Sequence, residues 1–388
     1  MSQSSDRSDR SDTSDTSDTS DTPGTSGAPR SDRGRNAAES SDPSFTAPQL
    51  PLAGVVVLDL TRLLPGPLAG MRLAEMGAEV IKIEDRGSGD YAREMMLGEG
   101  ESAPSAFWRL LNRGKTVARL DLKDDADRTT FLGHVARAHV LLEGFRPGVM
   151  ARLGFGYETL ARHRPSLVMA SISGYGQHGP MSQAAGHDIN YIGYAGVLDQ
   201  LCDAGDAPIV PNFQIGDLYG GAQAAVQAVL AALVSAQRTG RGRWLDISMT
   251  HEVFRSNLVP AVAMHRQGRA PRAGDDLLNG GVPCYQVYRT RDGRYMAVGA
   301  LELKFWQTLC DVLGRSDWKS RHWSLGQAVG AEDARTLQAE LAAVFASATQ
   351  AEWTARFAHA DCCVTPVLRL EEAMAHPLFA EAREALVP

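Results

Sequence analysis

From Pro51 onward, short runs rich in valine, isoleucine and leucine alternate with stretches of helical periodicity, and glycine or proline punctuates the joins. Runs that are apolar at every position, rather than at every second one, suit strands covered on both faces, and the alternation with helices suits a parallel sheet with crossover connections. The first strand is expected at residues 55–60 (VVVLDL), a helix at 67–76 and the second strand at 79–83 (EVIKI). Further strands are expected at 117–122, 139–143, 167–172 and 244–247. An Ala/Val-rich segment, 218–236, reads as a buried helix that stops at Thr239-Gly240, where glycine can take the left-handed turn that ends a helix.

After about residue 270 the texture changes. Residues 281–288 and 295–298 read as a hairpin around Arg291-Asp292-Gly293, since Asp-Gly readily reverses a chain. Helices are expected near 302–313, 334–346 and 350–357, then a last strand at 363–367 and a short helix ending near His376. The expected organisation is a low-complexity tail at 1–48, a large Rossmann-like domain at 49–265, a small α+β domain inserted at 266–345, and a return to the large domain at 346–388. The tail repeats an SDT unit from Ser11 to Thr22 and offers almost nothing to bury, so it is expected to be disordered.

A formal net charge of -7 argues against a nucleic-acid surface, which needs a basic stripe. An anionic ligand would have to be held by local arginines. Cys202, Cys284, Cys310, Cys362 and Cys363 are odd in number and lack paired metal spacing, so they read as reduced thiols of a cytoplasmic protein. Neither a membrane span nor a secretory core is expected.

Three polar positions stand out. His187 and Asp188 close a turn-rich stretch (GYGQHGPMSQAAGHD), and imidazole changes protonation near neutral pH; a loop histidine is nonetheless more often structural. Asp217 opens the long apolar helix within GDLYGG, where capping is a sufficient explanation and a carboxylate base the functional one. Glu302, in GALE, begins a helix, where a glutamate is favourable with no function at all. Arg86, Arg93, Lys123, Arg146 and Arg152 are each ordinary surface charges singly, but several follow the carboxyl ends of expected parallel strands, where open α/β sheets bind ligands and guanidinium forks suit phosphates. The usual dinucleotide and P-loop glycine motifs are absent.

As a set, PLAGVVVLDLTRLLPGPLAGMRLAEMGAEVIKIE, LLEGFRPGVMARLGFG, SISGYGQHGP, GHDINY, GDLYGGAQAAV, TGRGRWLDISM, DGRYMAVGALELKFW and DCCVTPV resemble the class III CoA-transferase (CaiB/BaiF) superfamily, from about Pro51 to about Pro377. GHDINY, the GG-x-P-x-Y of residues 280–285 and GALE are similar to its alpha-methylacyl-CoA racemase branch. The resemblance implies an interlocked homodimer whose active site lies between the large domain of one subunit and the small domain of the other. It implies an acyl-CoA substrate in lipid metabolism, with no cofactor or metal beyond the CoA of the substrate. Carried over by motif, His187 and Asp217 are the acid/base pair and Glu302 orients the imidazole, while Arg86, Leu120, Lys123, Arg146, Arg152 and Arg93 contact CoA.

Two rival readings remain. A CoA-transferase would use an aspartate aligned with Asp188 as nucleophile, forming an acyl anhydride. A non-catalytic acyl-CoA-binding protein would bind the thioester without turnover.

Overall fold

The computed structural model describes residues 49–97, 100–203 and 205–387; the tail expected to be disordered lies outside them. Six parallel strands, β1 (Val56–Asp59), β2 (Glu79–Glu84), β3 (Lys115–Arg119), β4 (Val140–Glu143), β5 (Val168–Ser173) and β6 (Trp244–Ser248), form one sheet in the order β3-β2-β1-β4-β5-β6. The order reverses between β1 and β4, and in open α/β sheets ligands bind at such a switch point, beyond the carboxyl ends of the strands.

The two faces of this sheet explain the uninterrupted apolar runs. Val57, Leu142, Ala170 and Ile247 point to one side, into a core closed by helices Pro65–Glu75 and Ala224–Thr239. Their neighbours Val56, Leu58, Leu141 and Met169 point to the other, against Phe131 and Val135 of helix Asp125–Arg137 and Leu160 of helix Tyr157–His163. Period-two alternation therefore separates two apolar cores rather than core and solvent.

The long apolar segment departs from the simple helix expected. Gly216–Gln223 is wound as π-helix and runs on into α-helix Ala224–Thr239, which Gly240 ends in the left-handed conformation (φ +69°). Gly216–Thr239 is long and apolar enough to cross a membrane by composition, yet Ala225, Val229, Ala232, Leu233 and Ala236 are core residues of the folded chain.

A second core gathers around an antiparallel sheet of β7 (Tyr285–Arg289), β8 (Tyr295–Gly299) and β9 (Val364–Pro366). The hairpin turns where expected, with Gly293 at φ +76°. The return to the large domain, expected from residue 346, does not begin there. Trp353, Phe357 and Cys362 are buried in the second core, β9 pairs with β8, and Arg294 forms an ion pair with Glu372 at 2.6 Å. Apolar burial and strand pairing hold residues 350–366 in the second core, and the Arg294 ion pair ties Glu372 to it; farther on, the Ala385 carbonyl accepts a hydrogen bond from Arg113 beside the first sheet.

Candidate active site

A cavity of about 740 Å³ opens at the switch point. Its walls come from the loop after β1 (Thr61, Arg62, Leu63, Pro65, Gly66), the loop after β4 (Gly144 to Pro147 in sequence), and the end of β5 with its following loop. His187, which is exposed, and Asp217, 30 residues on in sequence, both line this space.

His187 precedes helix Asp188–Tyr194 in extended backbone (φ -129°), and its N–H donates to Asn190 Oδ1 at 3.0 Å. The glycine before it is required by crowding, since a Cβ on Gly186 would meet the Tyr175 hydroxyl and the Tyr191 ring, each at 2.8 Å. Asp217 sits within the first turn of the π-helical segment and makes no helix cap; Ile215 holds the cap position. The capping explanation available in the sequence is thereby removed. Burial, with the Asp188 charge second, pushes the Asp217 carboxyl up to about 7. Such a group carries both acid and base forms near neutral pH, as proton transfer in either direction requires.

Asp188 has another part. Its Oδ1 accepts the Asp217 backbone N–H at 2.9 Å, tying the start of one helix to the start of the other. It is absent from the residues lining the cavity. A side chain on Gly216 would collide with that same Oδ1 at 2.9 Å, so the glycine is what lets the two segments approach.

Glu302 lies beside the second core, next to helix Leu303–Leu313 whose Trp306 and Leu309 belong to it. It is exposed, precedes helix Leu303–Leu313 without capping it, and does not line the large cavity of its own chain. Burial first, and then the Glu302 carboxylate, pushes the neighbouring Cys363 thiol above its ordinary range. Cys363 lines a smaller cavity, about 410 Å³, over the face of the antiparallel sheet.

Of the basic residues singled out for phosphate, Arg146 alone lines the large cavity. Arg86 is exposed and paired with Asp127, and Lys123 and Arg152 are likewise exposed. Leu120 is buried at the end of β3, its N–H donating to the Glu84 carbonyl at 2.9 Å. These positions follow β2, β3 and β4 along the carboxyl edge of the sheet. Arg93 differs: its Nε donates to Glu84 at 2.7 Å and its guanidinium stacks 4.0 Å above Trp108, so it is engaged with the protein itself.

Several cavity residues escaped the sequence reading. Arg62 pairs with Asp85 at 2.8 Å and lies over the rings of Tyr91 and Phe145. Its place just past the carboxyl end of β1 was the signal that could have found it. Tyr191 packs edge-on to Tyr175 with centroids 5.4 Å apart; burial first, and then the Asp217 carboxylate, raises its phenol, which stays a proton donor. Glu143, the last residue of β4, does not itself line the cavity but directly precedes its wall residue Gly144; it accepts the Phe145 N–H at 2.8 Å and is pushed by burial up to about 7. Among the described residues no group of three His, Cys, Asp or Glu side chains is arranged to hold a metal ion.

The family model described as CoA-transferase family III matches residues 52–387. An alpha-methylacyl-CoA racemase of Mus musculus is 39% identical over 326 residues, 84% of this chain and 80% of that protein. An acetyl-CoA:oxalate CoA-transferase of Acetobacter aceti is 33% identical over 88% of this chain and 86% of its own length. Among solved structures, a CAIB/BAIF family protein from Brucella suis superposes with a TM-score of 0.72 at 26% identity, covering 86% of this chain and 88% of that one.

Proposed function

Since the chain belongs to CoA-transferase family III, we propose that it acts on an acyl-CoA thioester and epimerises a 2-methyl-branched α-carbon. The observation that carries this reading is the presence of His187 and Asp217 on one cavity at the sheet's switch point, with the aspartate poised at about 7. Epimerisation removes a proton beside the thioester carbonyl and returns one to the opposite face, so two acid/base groups must flank a single carbon. One of the pair enters each turnover as base and the other as acid, and the roles exchange with the epimer consumed. The enolate between the two steps is anionic and needs N–H donors, a part the first N–H groups of helix Asp188–Tyr194 would play, since the Asp217 N–H is already committed to Asp188. The CoA phosphates would lie along the carboxyl edge of the sheet, toward Arg146, Arg86, Lys123 and Arg152. No cofactor beyond the CoA of the substrate enters this scheme.

The Glu302 carboxylate would come from a second copy of the chain, since within one chain it does not border the cavity. Its task would be to hold the His187 imidazole in one tautomer.

The transferase reading requires Asp188 as a free nucleophile. Its engagement with the Asp217 N–H and its absence from the cavity wall favour epimerisation over transfer. Incubation with one 2-methylacyl-CoA epimer in deuterated water separates the readings. The expected result is deuterium at the α-carbon together with loss of optical purity, reduced roughly 10²- to 10⁴-fold in His187→Ala and Asp217→Asn. Acyl exchange into a second carboxylic acid without α-deuteration would instead establish transfer, and thioester binding without either would leave a binding protein.

A further inference from the structure

The loop of residues 61–66 forms one wall of the large cavity, and two ion pairs lie beneath it with all four side chains fully buried. Lys82 Nζ meets Asp90 Oδ2 at 3.0 Å and donates to the Thr61 carbonyl at 2.8 Å. Asp90 Oδ1 accepts the Leu63 N–H at 2.9 Å. Lys115 Nζ meets Asp59 Oδ2 at 2.8 Å and donates to the Pro67 carbonyl at 2.8 Å, while Asp59 Oδ1 accepts the Thr61 N–H at 3.0 Å. The loop is thus held at three backbone atoms, and the helix after it at a fourth (the Pro67 carbonyl), by charges that carry a desolvation penalty, and an apolar filling of the same space would often be as stable.

The loop also carries strain. Leu63 takes φ +65°, a left-handed conformation unfavourable for a residue with a Cβ, and it persists where the surroundings impose it. The Asp90 carboxylate on its N–H is such a constraint. Two residues on, Pro65 rests on Gly221, where a Cβ would come within 2.7 Å of the Pro65 Cβ. Gly221 belongs to the π-helical segment Gly216–Gln223 that bears Asp217.

From this contact sequence we propose that the buried Lys82–Asp90 pair is a positioning device for Asp217, acting through the strained Leu63, Pro65 and Gly221. Neither residue touches the cavity; their effect is to press the loop against the π-helical segment so that Asp217 stays fixed and dry. The kinetic part rests on the epimerase reading of the site, while the mechanical part does not.

The test compares the full chain with Lys82→Met/Asp90→Leu and with Lys82→Met/Asp90→Asn, the second of which returns a neutral acceptor to the Leu63 N–H. Amide hydrogen exchange, read by mass spectrometry, should accelerate in Gly216–Gln223 and in residues 61–68 of the Leu variant, and by a smaller but resolved amount in the Asn variant, which keeps only the acceptor for the Leu63 N–H. In the deuteration assay kcat should fall about tenfold or more with KM nearly unchanged, because misplacement harms the chemical step more than binding. Unchanged exchange at Gly216–Gln223 in a variant that folds overturns the proposal, whether or not the protein epimerises thioesters. Absence of α-deuteration in wild type defeats the epimerase reading alone, and the exchange measurement still decides the clamp. If the Leu variant does not fold, the Asn variant decides: it lacks the ion pair and the bond to Thr61, so exchange identical to wild type there also overturns the proposal.

Discussion

At the scale of single residues, the carboxyl proposed as an acid/base at Asp217 also bears on stability. Its carboxyl titrates at about 7 in the folded chain against an ordinary 3.8. Below about pH 4 both folded and unfolded chains keep the proton and burial involves no charge. Between about pH 4 and 7 the unfolded chain ionises while the folded chain does not, so stability falls as pH rises, and above 7 the loss is complete. Asp217→Asn removes that loss. Its melting temperature should match wild type near pH 4 and exceed it increasingly up to a plateau above about pH 7, the gap corresponding to roughly 2–4 kcal/mol. Glu143 is raised in the same way but is common to both proteins and cancels. A gap that is constant from pH 4 to 8 would refute the burial argument.

The same residue predicts the shape of catalysis. If the pair carries the proposed epimerisation, log kcat/KM should change as the Asp217 carboxyl changes protonation, with one limb of the profile near neutrality. The two epimers must give superimposable profiles, since the equilibrium constant fixes the ratio of their kcat/KM values. A profile flat between about pH 5 and 9 would contradict the pairing. His187 was legible in the sequence because an imidazole in a polar loop is chemically conspicuous. Asp217 was visible too, but its capping alternative could be dismissed only once Ile215 was seen in the cap position.

At the scale of elements, the strands of both sheets stood out in the sequence, because an apolar run bounded by glycine or proline is a local signal. The π-helical winding of Gly216–Gln223 did not, since it arises from contacts made across the fold. Gly220 shows the constraint. A Cβ there would lie 2.6 Å from the Met249 carbonyl and 2.8 Å from Val253 Cγ2, both on helix Met249–Ser256. Gly220→Ala must push the segment away from that helix, because backbone cannot yield as a flexible side chain does. The expected cost is about 1–3 kcal/mol of stability, together with a loss of α-deuteration larger than the stability loss explains. Wild-type activity in a folded Gly220→Ala protein would show that the close approach is not what sets Asp217. The late return of the chain belongs to this scale as well: residues 350–357 were read as a helix, but only the burial of Trp353 and Phe357 tells which core it joins.

At the scale of the whole molecule, His187 and Asp217 are on the cavity of the first sheet and Glu302 is on the second core, away from the cavity of its own chain. The residues alone named all three without saying which of them meet within one chain, since motif order carries no distance; only the family resemblance implied a site shared between two subunits. Tyr194, Phe254, Leu258 and Val262 are each at least 60% exposed, and the last three lie on the consecutive helices Met249–Ser256 and Leu258–Gln267. Apolar side chains gathered in this way are a surface that association would cover. If a second copy supplies Glu302, inactive variants should complement one another. Homodimers of His187→Ala and of Glu302→Gln, unfolded together and refolded, would yield heterodimers in which one site holds both lesions and the other holds none. Random exchange makes half of the dimers mixed, so α-deuteration should return to roughly a quarter of the wild-type rate. If His187 and Glu302 served the same site from one chain, every site in the mixture would hold a lesion, and the mixed sample would be no more active than its parents.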